Sequence, residues 1–169
     1  DALVNEGRQP DRHRTGHPGF VPYEAFECAD APILVCCGND RLFAKLAVEL
    51  GRPHWVDDER FATNRARLAN KDALFDELLP LLRARTRAEW LERFENAGVP
   101  CSPIHSLPEA VAHPQVQALG IVQPVPDAGF RLTGLPLSID GGRPPLGPAA
   151  PELGRDNARH GLPPLSPRP

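Results

Sequence analysis

Between Arg14 and Asp40 the chain gathers the groups best suited to chemistry, in the order R-T-G-H-P-G-F-V-P-Y-E-A-F-E-C-A-D-A-P-I-L-V-C-C-G-N-D. A loop punctuated by glycine and proline runs into a short extended segment, then an apolar strand, then a Gly-Asn-Asp turn that opens a helix. This order puts backbone N–H groups and one carboxylate at the mouth of a strand–turn–helix unit, where a scaffold can aim a loop at a ligand. His17 could hydrogen-bond a carboxylate, but a lone histidine beside Pro18 equally suits a surface turn. Thr15 and Gly16 share that loop, which otherwise reads as an ordinary turn entering a strand. Asp40 reads first as the N-cap of the following helix; the same carboxylate could also face the site.

Other spacings are less promising. Cys101 with His105 and His13 with His17 are four residues apart, but zinc needs four convergent ligands, and no paired C-x-x-C accompanies them. No metal site is expected. Cys36-Cys37 sits in an apolar strand, where neighbouring side chains point to opposite faces, so it reads as core filler rather than a redox pair. The charged run Asp57–Arg67 reads as a solvated face with local ion pairs.

Several elements must position these groups. Ala2-Leu3-Val4 suits the end of a helix stopped at Gly7, and Gln9 to Arg14 should be exposed. Ile33–Cys37 is a continuous apolar run bounded by Pro32 and Gly38, which predicts a buried strand. Asn39 or Asp40 should cap a helix whose apolar face is Leu42, Phe43, Leu46, Ala47 and Leu50, with Gly51 as its left-handed stop. A second helix is predicted from about Asn64 to Arg85, buried along Leu68, Phe75, Leu78, Leu79 and Leu82, and kinked or split by Pro80. Thr86-Arg87-Ala88-Glu89 is a capping box opening a third helix, with Trp90, Leu91 and Phe94 inward and Gly98 at its end. Val99–Ile104 carries two prolines, so it belongs at a sheet edge. Ser106 should cap a short helix through Val111, and Pro114 should open another through Leu119. Ile121–Val125 and Phe130–Leu132 should form a hairpin.

A length of 169 residues allows one domain with a real core, and a net charge of −3 gives no electrostatic footprint for nucleic acid or an anionic membrane. No apolar run is long enough to span a bilayer. The N-terminus lacks a basic start and an apolar stretch, so no signal peptide is expected. The four cysteines are therefore expected as reduced thiols in the cytoplasm. The chain starts at Asp1 and contains no methionine, which points to a fragment or processed product. Eight of the 21 prolines lie between Pro144 and Pro169, a stretch that cannot hold a long helix or a central strand. The expected organisation is an arm over 1–23 carrying the loop, an α+β domain over 24–137, and a proline-rich arm and tail over 138–169.

Seven segments in this order resemble the class III CoA-transferases, of the CaiB/BaiF type. They are G-H-P-G-F-V-P-Y-E-A-F (16–26), G-N-D-R-L-F (38–43), D-E-R-F-A-T-N-R-A-R (58–67), T-R-A-E-W (86–90), A-G-V-P-C-S-P-I (97–104), H-P-Q-V-Q-A-L-G (113–120) and G-L-P-L-S (134–138). The resemblance implies an α/β fold in which this chain is the C-terminal half. It would be the small α+β domain of a two-domain enzyme, flanked by arms belonging to a large Rossmann-like domain. Two full-length protomers would interlock as a homodimer. Acyl-CoA and a carboxylic acid would be the substrates, with the CoA thioester as substrate rather than a tightly bound cofactor. The transferases of this family use an aspartate that passes through an anhydride to an aspartyl thioester, and the related racemases use a His/Asp pair. Both sets lie upstream of Asp1, so no catalytic residue is assigned to this chain, and alone it should be inactive.

Thr15, Gly16, His17 and Asp40 are the substrate-binding positions the resemblance implies. The loop matches a glycine lid at Gly16, Pro18 and Gly19. His13, Arg14 and Thr15 stand where the lidded formyl branch has glycines, which favours a general acyl-CoA transferase or racemase over the formyl/oxalyl branch. Tyr23 and E-C-A-D (27–30) resemble the α-methylacyl-CoA racemases, and Asp40 stands where racemase-like members have a supporting glutamate. A racemase fragment, or a non-catalytic interaction module or remnant, is thus the alternative.

Overall fold

The computed structural model describes residues 2–7, 9 and 12–163. Part of the expected polar lead-in, and the last six residues of the proline-rich tail, lie outside them. The chain divides into two compact units, 1–104 and 105–169. This boundary falls inside the 24–137 span expected as one domain.

The first unit is a mixed helix-and-sheet body. After the short helix α1 (Ala2–Glu6), strands β1 (Tyr23–Glu27), β2 (Pro32–Cys36) and β3 (Cys101–Pro103) form an antiparallel sheet in the order β1-β2-β3. Ile33 and Val35 of β2, and Cys37 just beyond it, are buried, while Leu34 and Cys36 point to the more open face, as strand alternation requires. Two prolines flank or end β3, and it lies at an edge, where a missing N–H leaves no ladder bond unmade.

Helix α2 (Asp40–Glu49) follows, then a 3₁₀ turn at Pro53–Val56, then α3 (Asn64–Ala69), α4 (Lys71–Arg83) and α5 (Arg87–Ala97). Helix α4 packs on β1, and α5 packs against β3 and α2. Their core is Phe43, Leu46, Trp55, Phe61, Leu74, Leu78, Leu82, Trp90 and Phe94. The Thr86–Glu89 capping box is present with both reciprocal bonds, and Gly98 closes α5 at φ 68°.

Two expectations for the second helix do not hold. The break comes at Asn70, not at Pro80: the Asn70 side chain donates to the Ala66 carbonyl at 2.9 Å and competes with the helix ladder. Pro80 sits inside α4, where it and Asp76, whose carbonyl loses its donor, are both exposed, so water can replace the missing bond. Leu68, expected on the buried side, is exposed, and Arg67 takes the inward position instead.

The second unit contains α6 (Leu107–Ala112), α7 (Pro114–Ala118) and the hairpin β4 (Val122–Pro124) with β5 (Arg131–Thr133), followed by irregular chain and a 3₁₀ turn at Ala158–His160. Ser106 and Glu109 form a second capping box. Val125 is the buried hydrophobic residue of this unit among the described residues.

Candidate functional site

The loop before β1 is held by a dense set of bonds. Gly16 N–H donates to the His13 carbonyl at 2.7 Å, and His17 N–H to the Tyr23 carbonyl at 2.9 Å. Thr15 Oγ1 accepts from Ala25 N–H at 3.2 Å. Gly16 packs so closely on the Glu24 carboxylate that a Cβ there would collide with it. Glu24 is in turn paired with Lys71 at 2.6 Å. Glycine at position 16 is therefore explained by its protein neighbours. Arg14 adopts a left-handed φ of 53°, a conformation that costs a side chain about 1 kcal/mol.

His17 Nδ1 accepts from Gly19 N–H at 3.0 Å. A backbone N–H can only donate, so in this geometry Nδ1 is the acceptor and the ring proton lies on Nε2. The ring lies against Phe20 and Tyr23, with centroids 4.9 and 5.3 Å away. It is exposed, leaving an oriented N–H donor at the surface.

Asp40 is not the helix cap. Asn39 is: its Oδ1 accepts from Leu42 N–H at 2.9 Å. Asp40 occupies the first helical position, where a carboxylate is favoured by the helix dipole. Its Oδ1 receives the Arg67 guanidinium at 2.8 Å, and 55% of its side chain remains exposed.

Arg67 overturns the reading of Asp57–Arg67 as a solvated face. Arg60 does make the expected surface pairs, to Asp58 at 2.7 Å and Glu77 at 3.1 Å. Arg67, in contrast, is 0% exposed. Its Nε donates to the Val21 carbonyl at 2.7 Å, one terminal nitrogen to the Phe61 carbonyl at 2.8 Å, and the other to Asp40. The guanidinium also lies over the Phe43 ring, 4.1 Å from its centroid. Asn64 grips the same loop: its Oδ1 accepts from Val21 N–H at 3.1 Å and its Nδ2 donates to the Gly19 carbonyl at 2.8 Å. Thr15, Gly16 and His17 thus share one pinned loop, and Arg67 ties its far end to Asp40. Sequence reasoning missed Asn64 and Arg67. Their helical i, i+3 spacing was the available signal.

A cleft of about 290 Å³ adjoins the first half of the loop, lined by Arg12, His13, Arg14, Glu24, Lys71, Asp72 and Phe75. Elsewhere the suspected chemistry resolves into structure. Tyr23 faces Cys36 across the ladder, and a hydrogen bond between their side chains pushes the phenol pKa up. Asp30 of E-C-A-D accepts from Arg87 N–H at 2.7 Å, at the start of α5, and this bond holds its carboxyl below the usual range. Burial pushes the Cys37 thiol up to about 12 and Cys28 to about 11, so neither is a thiolate near neutrality. All four cysteines are unbridged. No group of three or more His, Cys, Asp or Glu among the described residues is arranged to hold a metal ion.

A sequence model of CoA-transferase family III matches residues 1–157. The chain belongs to CoA-transferase family III. It is similar to the acetyl-CoA:oxalate CoA-transferase of Acetobacter aceti, with 36% identity over 153 residues, covering 90% of this chain and 39% of that enzyme. A succinate–glutarate CoA-transferase of Agrobacterium fabrum is 38% identical over 115 residues, covering 68% of this chain and 29% of the enzyme. Among solved structures, a CaiB/BaiF family protein from Brucella suis superposes with a TM-score of 0.80 at 31% identity, covering 94% of this chain and 41% of that one. The family III chain described here therefore spans well under half the length of these relatives. The mixed helix-and-sheet fold is that of the CaiB/BaiF family. Among the described residues, no helix is long and apolar enough to cross a membrane.

Proposed function

We propose that this chain is the C-terminal portion of a cytoplasmic acyl-CoA:carboxylate CoA-transferase and forms one wall of its acyl-CoA site. Thr15, Gly16, His17 and Asp40 are the substrate-facing positions, and the nucleophilic aspartate lies in an N-terminal half outside this chain. In the full-length enzyme, two protomers interlock. The observation that carries the reading is the pinned loop with its oriented His17 Nε2–H. An N–H donor held in a fixed direction can hydrogen-bond a thioester carbonyl or carboxylate oxygen. The division of labour follows from chemistry: a carboxylate is a weak nucleophile and must be positioned and shielded from water, and this wall supplies positioning and cover rather than bond-making.

The acceptor class is a short dicarboxylate. The named relatives are described as acting with oxalate, succinate or glutarate, and two arginines, Arg12 and Arg14, stand with Glu24 and Asp72 in the lining of the cleft beside the loop, where a guanidinium can pair with a carboxylate. The glycine-lidded way of closing the site does not suit a loop held by this many bonds.

The test adds the N-terminal half to this chain and measures CoA exchange between a donor thioester and oxalate, succinate, glutarate or acetate. Transfer to a dicarboxylate, lost without the added half, is expected. Hydrogen–deuterium exchange at the substrate Cα with no CoA transfer would replace the reading with a racemase. In calorimetry the chain alone should bind CoA weakly or not at all, and tight binding would contradict a chain that supplies only one wall.

A further inference from the structure

Helix α3 is only six residues long, yet two of its side chains govern the loop that carries His17. Asn64 and Arg67 stand three positions apart, on one face of the helix. Asn64 takes both the Gly19 carbonyl and the Val21 N–H, and Arg67 takes the Val21 carbonyl. The rest of the guanidinium fork reaches Phe61 O and the Asp40 carboxylate. One planar group thereby fixes three acceptors from three separate segments.

A fully buried guanidinium is a costly way to stabilise a fold. Its one carboxylate partner is itself half in water, so the Coulombic return is small, and an apolar residue of similar volume often serves stability as well or better. What the guanidinium supplies, and an apolar side chain cannot, is direction: its donors leave in fixed directions within one plane. We propose that Asn64 and Arg67 are positioning residues that set His17 and Asp40 in register, so that both address one bound acyl-CoA. The proposal rests on the reading above, in which His17 and Asp40 face the substrate.

Two measurements test it. The first is amide hydrogen exchange on the 169-residue chain as wild type, Asn64→Ala and Arg67→Lys. The His17 and Cys37 amides, bonded to the Tyr23 and Pro22 carbonyls, report on the loop. They should exchange at least about tenfold faster in both variants, while Leu46 and Leu78 in the helical core keep their rates. The second is kinetics with the N-terminal half added. Asn64→Ala should lower kcat about tenfold or more with a smaller change in KM, at an unchanged pH profile. Asn64→Asp keeps the acceptor for Val21 N–H but loses the donor to Gly19, and should fall between wild type and alanine. If Arg67→Lys does not fold, the Asn64 pair alone decides. Wild-type loop exchange in Asn64→Ala overturns the proposal, as does faster loop exchange with unchanged kcat. No transfer by the wild-type enzyme, with loop exchange still faster in the variants, overturns the functional reading and the catalytic purpose given to the clamp, while the clamp itself stands.

Discussion

The two units solve the same folding problem with very different success. Unit 1 buries two tryptophans, four phenylalanines and a row of leucines around a three-stranded sheet. Unit 2 buries Val125 and leaves Leu107, Phe130, Leu132, Leu135, Leu137, Ile139, Leu153 and Leu162 exposed. Its Gln123 Oε1 is buried with no hydrogen-bond partner among the described residues, where native folds usually supply one. Local structure forms in both, since each has a capping box, but a capped helix of six residues is not stable without a surface to pack on. The difference teaches that local signals decide where elements form and buried apolar area decides whether they hold. Unit 2 has the first without the second, which is expected of a segment whose cover lies elsewhere.

The largest break between the units should come from paired core truncations. Leu78→Ala in α4 removes a fully buried side chain and should cost about 3 kcal/mol. Leu135→Ala in unit 2 removes a half-exposed one and should change stability by less than about 0.5 kcal/mol. Both tryptophans lie in unit 1, so urea unfolding followed by their fluorescence reads that unit directly. Equal losses in that transition would mean that Leu135 supports unit 1 as Leu78 does, and that the contrast between the units is wrong.

The capping boxes sharpen the comparison, because the same device appears in both units. Thr86→Ala should lower the unfolding free energy of unit 1 by about 1 kcal/mol. Ser106→Ala should leave that transition where it is and only increase amide exchange over 107–112. A shift of the tryptophan transition by Ser106→Ala would show that the two units unfold as one.

These boxes also mark what could be read from the sequence. Thr86-x-x-Glu89 and Ser106-x-x-Glu109 are local, so four residues suffice to recognise them. The buried strand at Ile33, the edge strand with its two prolines and the hairpin at 122–133 were legible for the same reason. Arg67 was not: it sits in a charge run, and its burial is decided by the Val21 carbonyl, 46 residues away in the chain. Asp40 read as a cap because both Asn39 and Asp40 are good cappers, and only backbone geometry chooses between them. At the loop, the sequence marked Thr15, Gly16 and His17 as candidates, but the contacts that hold them come from Asn64, Glu24 and Ala25, none of them in the loop itself, so no local pattern showed that the loop is pinned.

Alkaline pH should separate the units next, since all four cysteines belong to unit 1. A thiol held up at about 12 in the fold, against 9.0 when exposed, is protonated in both states at neutral pH and contributes nothing there. Above 9 the unfolded chain loses that proton first, so stability falls as pH rises. For Cys37 alone this should reach about 1 kcal/mol by pH 10. Cys37→Ala should flatten the alkaline slope whatever it does to absolute stability, and an unchanged slope would remove Cys37 as the cause.

The smallest effect lies at acid pH and again belongs to unit 1. Asp30 is held below the usual carboxylate range chiefly by the Arg87 N–H, and Glu89 chiefly by the Thr86 N–H. A carboxylate whose folded pKa is depressed adds stability above its unfolded value, and that stability is lost as pH falls through the folded one. Both groups act at the start of α5, so acid should fray that helix before the sheet gives way. Both carboxylates are solvent-exposed, so the change should be shallow and should weaken with added salt. Asp30→Asn keeps an acceptor for the Arg87 N–H but removes the charge, so it should lower stability slightly at pH 7 and reduce the acid slope. Thr86→Ala should reduce the slope by a separate route, because Glu89 loses the hydroxyl as a donor. If the two variants together leave the acid slope of the tryptophan transition at its wild-type value, the α5 terminus is not where unit 1 senses acid.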